Sequence, residues 1–134
     1  LRAISAYGLY RPDLGDIYLE EFSSAYATQP AMLLNTIKEL RRIGVPEKAQ
    51  QLLEIGLHTS PNHPELLAQI IELSIEKNSY EKLEDHIRRF LDLRRPNKEF
   101  SKRILSTIRL NPNLFAATTE RNRLIRELRS IIQN

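Results

Sequence analysis

Apolar residues recur along this chain at three- and four-residue intervals, and no segment alternates with period two over a strand's length. That pattern predicts helices throughout. A first helix spans Leu1 to Tyr10 and breaks at Arg11-Pro12-Asp13, with Asp13 placed to cap the second. The second carries Leu14, Tyr18, Phe22, Ala25 and Tyr26 on one face. Pro30 closes it and opens the third, where Leu33, Ile37 and Leu40 share a stripe. Gly44 ends that helix, since glycine tolerates the left-handed conformation, and Pro46 suits the first position of the fourth. The fourth has the cleanest stripe: Ala49, Leu52, Leu53, Gly56 and Leu57.

The fifth helix, Glu65 to Lys77, is apolar on most sides, which predicts a central position. Asn78-Ser79 is placed to cap the sixth, with Glu81 completing a capping box, and Tyr80, Leu83, Ile87, Phe90 and Leu91 form its stripe. Phe100, Ile104 and Ile108 line the seventh. The eighth carries Leu124, Leu128 and Ile131, with Thr118-Thr119 as a place where a short turn splits from it. Arg123, Arg126 and Arg129 supply its polar face. Hairpins end at Pro30, Pro61 and Pro96, spaced 31 and 35 apart. A helix pair of this length cannot bury its own apolar face, so the pairs are expected to stack.

Composition narrows the function classes. The 134 residues fit one domain, 1–134, with 41% hydrophobic and 28% charged residues. The chain begins at Leu1 rather than Met and is read as a piece of a longer protein. With no Cys, thiolate chemistry is excluded, which fits a cytoplasmic or other reducing compartment. No apolar run has the length of a membrane span. Residues 1–85 carry eight Lys/Arg and thirteen Asp/Glu, whereas residues 86–134 carry twelve and four. The basic half suits an acidic protein partner or a nucleic-acid backbone.

Gly44, Ala49, Gly56 and Pro61, with Leu33, Ile37, Leu40 and Leu53, resemble the tetratricopeptide repeat. Leu14 to Pro30 is similar to the second helix of an earlier repeat, and Pro64 to Pro96 to a later one that departs at Leu83 and Phe90, where small residues are expected. The resemblance implies an all-α, right-handed helix-hairpin solenoid of about four antiparallel pairs. It also implies a concave groove lined by the first helix of each pair. By register that groove shows Tyr7, Tyr10, Arg11, Leu34, Lys38, Arg41, Arg42, Glu72, Glu76, Arg103 and Thr107. The asparagine pair of the repeats that grip chaperone tails does not accompany Lys38 and Arg41, which disfavours that ligand.

Catalytic chemistry finds no set of residues. His58, His63 and His86 lack metal-site spacing, and Glu20-Glu21 and Glu84-Asp85 are adjacent and diverge on a helix. No Gly-rich phosphate loop occurs, so neither metal nor cofactor is expected. Tyr7, Tyr10, Tyr18 and Tyr26 crowd the first pair, as an aromatic core or a sticky groove end. A basic patch comprises Arg88, Arg89, Arg94, Arg95, Lys98, Lys102, Arg103 and Arg109. Its interleaved Phe90 and Phe100 fit core stripes, so nucleic acid is disfavoured against a protein or peptide partner. The leading expectation is a non-enzymatic interaction scaffold. Two alternatives stand beside it: a pentatricopeptide-like RNA-binding array, whose first helix Asn35 to Gly44 is similar to, and a docking segment of a larger enzyme.

Overall fold

The computed structural model describes residues 2–79, 81–94, 97–112 and 118–133. Every regular element among them is an α-helix: α1 (Arg2–Gly8), α2 (Pro12–Tyr26), α3 (Pro30–Arg42), α4 (Pro46–Thr59), α5 (Pro64–Glu76), α6 (Leu83–Leu91), α7 (Lys98–Leu110) and α8 (Thr118–Gln133). The chain divides into two compact units, Leu1–Leu66 and Leu67–Asn134, with the division inside α5. In the first unit α1 packs on α2 and α3 on α4, and α3 also touches both α1 and α2. In the second unit α7 packs on α8.

The ends of α1, α3 and α5 share one backbone device. After each helix one residue adopts positive φ: Tyr10 at 59°, Gly44 at 82° and Asn78 at 55°. Its N–H bonds to the carbonyl three residues back, at 3.1 Å to Tyr7, 3.2 Å to Arg41 and 3.2 Å to Ile75. The next N–H reaches five residues back, at 2.8 Å from Arg11 to Ala6, 2.9 Å from Val45 to Leu40 and 2.9 Å from Ser79 to Ser74. This is the Schellman motif, which satisfies carbonyls that a helix end leaves open. Positions 10, 44 and 78 are each 34 residues apart. The starts of α3, α5 and α7 at 30, 64 and 98 keep the same 34-residue interval.

Burial follows that interval. Gly15, Ala49 and Leu83 are buried, as are Leu19, Leu53 and Ile87, and then Phe22, Gly56 and Phe90. On the preceding helices Ala3, Ile37, Ile71 and Leu105 are buried, with Ala6, Leu40, Ser74 and Ile108 one turn on. Size alternates within these sets. A Cβ on Gly56 would lie 3.0 Å from Leu66 Cδ1 and 3.2 Å from Leu33 Cδ1, so the small residue lets α4 approach its neighbours. A Cβ on Gly15 would lie 2.5 Å from the Tyr7 ring. In α5 all positions from Leu66 to Ile75 are buried, including Gln69 and Glu72, as its apolar circumference predicts.

Several expectations change. Pro30 stands at the first position of α3, where Pro64 stands in α5, whereas Pro61 lies in the turn between α4 and α5. The spacing of 31 therefore compares unlike positions, and Pro96 lies outside the described residues. Asp13 does not cap α2: Pro12 opens that helix, Arg11 precedes it, and no side chain caps it. Asn78 ends α5 rather than starting α6, which begins at Leu83. The buried stripe of α2 is Gly15, Leu19 and Phe22, with Ala25 exposed, and Tyr7 packs over Gly15. α8 runs unbroken from Thr118, with Arg123, Arg126 and Arg129 exposed as expected. Asn97 supplies a side-chain cap: its Oδ1 accepts from the Glu99 and Phe100 amides at 2.8 and 3.1 Å.

Gly44→Ala is expected to lower stability by about 1–2 kcal/mol, because a Cβ is strained in the left-handed region. Gly44→Asn should lose less. Urea unfolding of the two variants measures this, and an unchanged midpoint for Gly44→Ala would contradict the cap.

Candidate functional site

The groove residues expected on first helices fall in both units, and each unit places its own share. In the first unit Tyr7 is half-buried on α1, and its hydroxyl donates to Asp16 Oδ1 on α2. The same carboxylate oxygen lies 3.0 Å from Lys48 Nζ on α4. Tyr7, Asp16 and Lys48 thus tie three helices together, so Tyr7 serves packing. Tyr10, in the left-handed turn, is 93% exposed, and Arg11 beside it is exposed. Leu34 is buried and offers no surface. Phe22 and Tyr26 pair with ring centroids 4.9 Å apart, while Tyr18 and Tyr26 are half-buried. The aromatic crowding therefore builds core, with Tyr10 as the exception.

The polar wall of α3 is basic. Lys38 is exposed and pairs with Glu65 of α5 at 2.9 Å. Arg42 is exposed and forks onto Glu39 of its own helix at 2.6 and 2.9 Å, and Arg41 is half-buried between them in sequence. Exposed pairs of this kind are worth about 0–1 kcal/mol, so they leave the cations open to a competing anion.

In the second unit the corresponding wall centres on one buried carboxylate. Glu72 is 5% exposed, and its Oε2 accepts from Arg103 Nη2 of α7 at 2.8 Å. Glu72 stands 34 residues after Lys38, so one register position links neighbouring first helices twice, with the charges reversed. The Arg103 guanidinium also lies 5.8 Å from the Phe100 ring centroid. Thr107 Oγ1 donates to the Arg103 carbonyl at 2.9 Å, which turns its hydroxyl inward. Glu76, Lys102 and Ser106 join Glu72, Arg103 and Thr107 around a shallow depression.

The basic patch divides by partner. Arg88 pairs with Glu84 at 3.1 Å and Lys102 with Glu99 at 3.3 Å, and Arg103 is held by Glu72. Arg89, Arg94, Lys98 and Arg109 are exposed, and Arg95 lies outside the described residues. Phe90 is fully buried and Phe100 half-buried, which leaves Phe90 unable to stack on a base. Arg121, absent from the sequence expectations, donates to the carbonyls of Asn111 and Ile108 at 2.6 and 2.8 Å and so closes the C-terminus of α7. His63 caps α5, its Nδ1 accepting from the Leu66 amide at 3.4 Å.

Among the described residues no group of three or more His, Cys, Asp or Glu could hold a metal, and no helix is long and apolar enough to cross a membrane. Sequence reasoning missed Gly15, Asp16 and Lys48. The signal was present: Gly15 lies 34 residues before the small residue Ala49. No protein-family model, curated protein or solved structure matches the chain.

The hydrogen bond from Tyr7, followed by the bond and charge of Lys48, holds Asp16 below the usual carboxylate range. Its folded value lies below the unfolded one, so this contribution is present above about pH 3.9 and is lost as pH falls further. Burial, then the Asp16 bond and charge, pushes Tyr7 well above the usual phenol value, so that contribution is lost as pH rises past about 10. The stability gap between wild type and Asp16→Asn should therefore shrink between about pH 4 and pH 2 in thermal unfolding. A constant gap would contradict the network.

Arg103→Ala should cost about 1–3 kcal/mol by removing the Arg103 hydrogen bond and charge from the buried Glu72 carboxylate. Adding Glu72→Gln should recover most of it. A double-mutant cycle in urea with no coupling would contradict the pair's role.

Proposed function

We propose that this chain is a non-enzymatic interaction scaffold of the tetratricopeptide type, a stack of helix pairs that holds a peptide, helix or neighbouring domain against its first helices. The observation that carries this reading is the 34-residue interval shared by the left-handed turns, the helix starts and the buried positions. That interval is the length of a tetratricopeptide unit. A fold built this way stabilises itself through neighbouring helices, and α3 keeps one side free of core packing. On α3 that side carries Lys38, Arg41 and Arg42.

Peptide binding is favoured over RNA binding by the same side chains. Base stacking requires aromatic faces open to the ligand. Phe90 is buried, Phe100 is half-buried beside Arg103, and Tyr10, in the turn after α1, presents an open ring. A peptide that carries carboxylates suits the wall of α3, where Lys38, Arg41 and Arg42 stand.

Selection of random displayed peptides on the purified chain tests this. Selected peptides should carry acidic residues and lose about tenfold or more in affinity for Arg41→Glu with Arg42→Glu, because charged hydrogen bonds are removed and repulsion replaces them. Circular dichroism of the variant should be unchanged. Undiminished binding, or tight sequence-selective RNA binding that survives physiological salt, would overturn the reading.

A further inference from the structure

A second surface, on second helices, carries an inference independent of the first-helix walls. Between α6 and α8 lies a cleft of about 280 Å³. Ile87 and Leu91 of α6 and Leu124 of α8 form its apolar lining. Around them stand the carboxylates of Glu84, Asp92, Glu120 and Glu127 and the guanidinium groups of Arg88 and Arg123. Glu84 is taken by Arg88 at 3.1 Å and Glu127 by Arg123 at 3.1 Å, each within its own helix. Asp92 and Glu120 are exposed and form no ion pair among the described residues.

The charge of the cleft runs against that of its surroundings. Residues 67–134 carry fourteen Lys and Arg against nine Asp and Glu. Four of those nine carboxylates gather here with two of the fourteen cations. Both neutralised pairs are internal to a helix, so the cleft retains two negative charges beside an apolar lining. Its volume is at the lower edge of that of small-molecule sites, which run from about 300 Å³ upward, and it lacks the enclosure that a cofactor needs. One long side chain fits better. The occupant must combine an aliphatic stem with a cationic head, and arginine does so: its methylenes lie on apolar surface while its planar fork meets carboxylates.

We propose that the α6–α8 cleft receives an arginine side chain of a partner protein, its stem on Leu91 and Leu124 over the buried Ile87 and its guanidinium between Asp92 and Glu120. The partner thus presents an exposed, basic segment, and the association weakens as salt rises.

A short blocked peptide of alternating alanine and arginine, titrated into the full chain with methyl NMR detection, tests this. Saturable shifts at the Ile87, Leu91 and Leu124 methyls are expected. The citrulline counterpart, of the same shape without the charge, should bind about tenfold or more weakly, as expected for loss of charge-assisted hydrogen bonds. Asp92→Asn with Glu120→Gln, both exposed and without an ion pair among the described residues, should weaken the arginine peptide to the same degree. Equal binding of the citrulline peptide to wild type, arginine binding indifferent to the double variant, or shifts confined to other residues would each overturn the proposal. The citrulline arm uses the wild-type chain and decides even if the double variant fails to fold.

Discussion

The reversal of the chain after α1, α3 and α5 is the constraint on which the rest depends. A helix that ends must turn its last carbonyls toward some donor, and here one residue in the left-handed region folds two amides back onto them. At Gly44 that conformation costs nothing in Cβ contact, since nothing lies within 4 Å of a built Cβ and only the φ is demanding. At Asn78 a short polar residue tolerates it. At Tyr10 a bulky residue accepts it, which is sustained by the packing of α1 on α2 and by the Tyr7–Asp16–Lys48 tie. The 34-residue interval of these turns carries through to the buried positions.

Packing and charge then divide the work. Small residues at Gly15, Ala49 and Gly56 set how closely second helices approach, while large ones at Phe22, Leu83 and Phe90 fill the same register elsewhere. Position 38 and position 72 link first helices by ion pairs of opposite sense. The Glu72 pair is the costlier to break, since its carboxylate is buried while Lys38 stays half in water. Surface chemistry is thereby left to cations whose partners are weak, and to Asp92 and Glu120, which form no ion pair among the described residues.

The helices themselves were legible, because α3, α4, α5 and α7 each carry strong three- and four-residue apolar spacing. Helix ends were less so. Asp13, Asn78 and Glu81 have the side chains of N-caps, yet proline at position 12 and left-handed backbone at position 78 decide those turns. A tyrosine in a left-handed turn carries no sequence signal at all. The repeat interval was hidden because prolines mark two different places, the first turn of a helix at Pro30 and Pro64 and the loop at Pro61. Of the groove residues, Lys38, Arg42 and Glu76 are on the surface as read, whereas Leu34 and Glu72 are buried by neighbours that lie far away in sequence. The α6–α8 cleft depends on such distant neighbours too.

Helix packing built on a fixed interval stands or falls with the turns that set it. Backbone φ at Tyr10 and Asn78, obtained from NMR scalar couplings and chemical shifts of the full chain, tests this most directly. The account predicts positive φ at both residues, matching Gly44 between them. Negative φ at either would break the 34-residue register and contradict it.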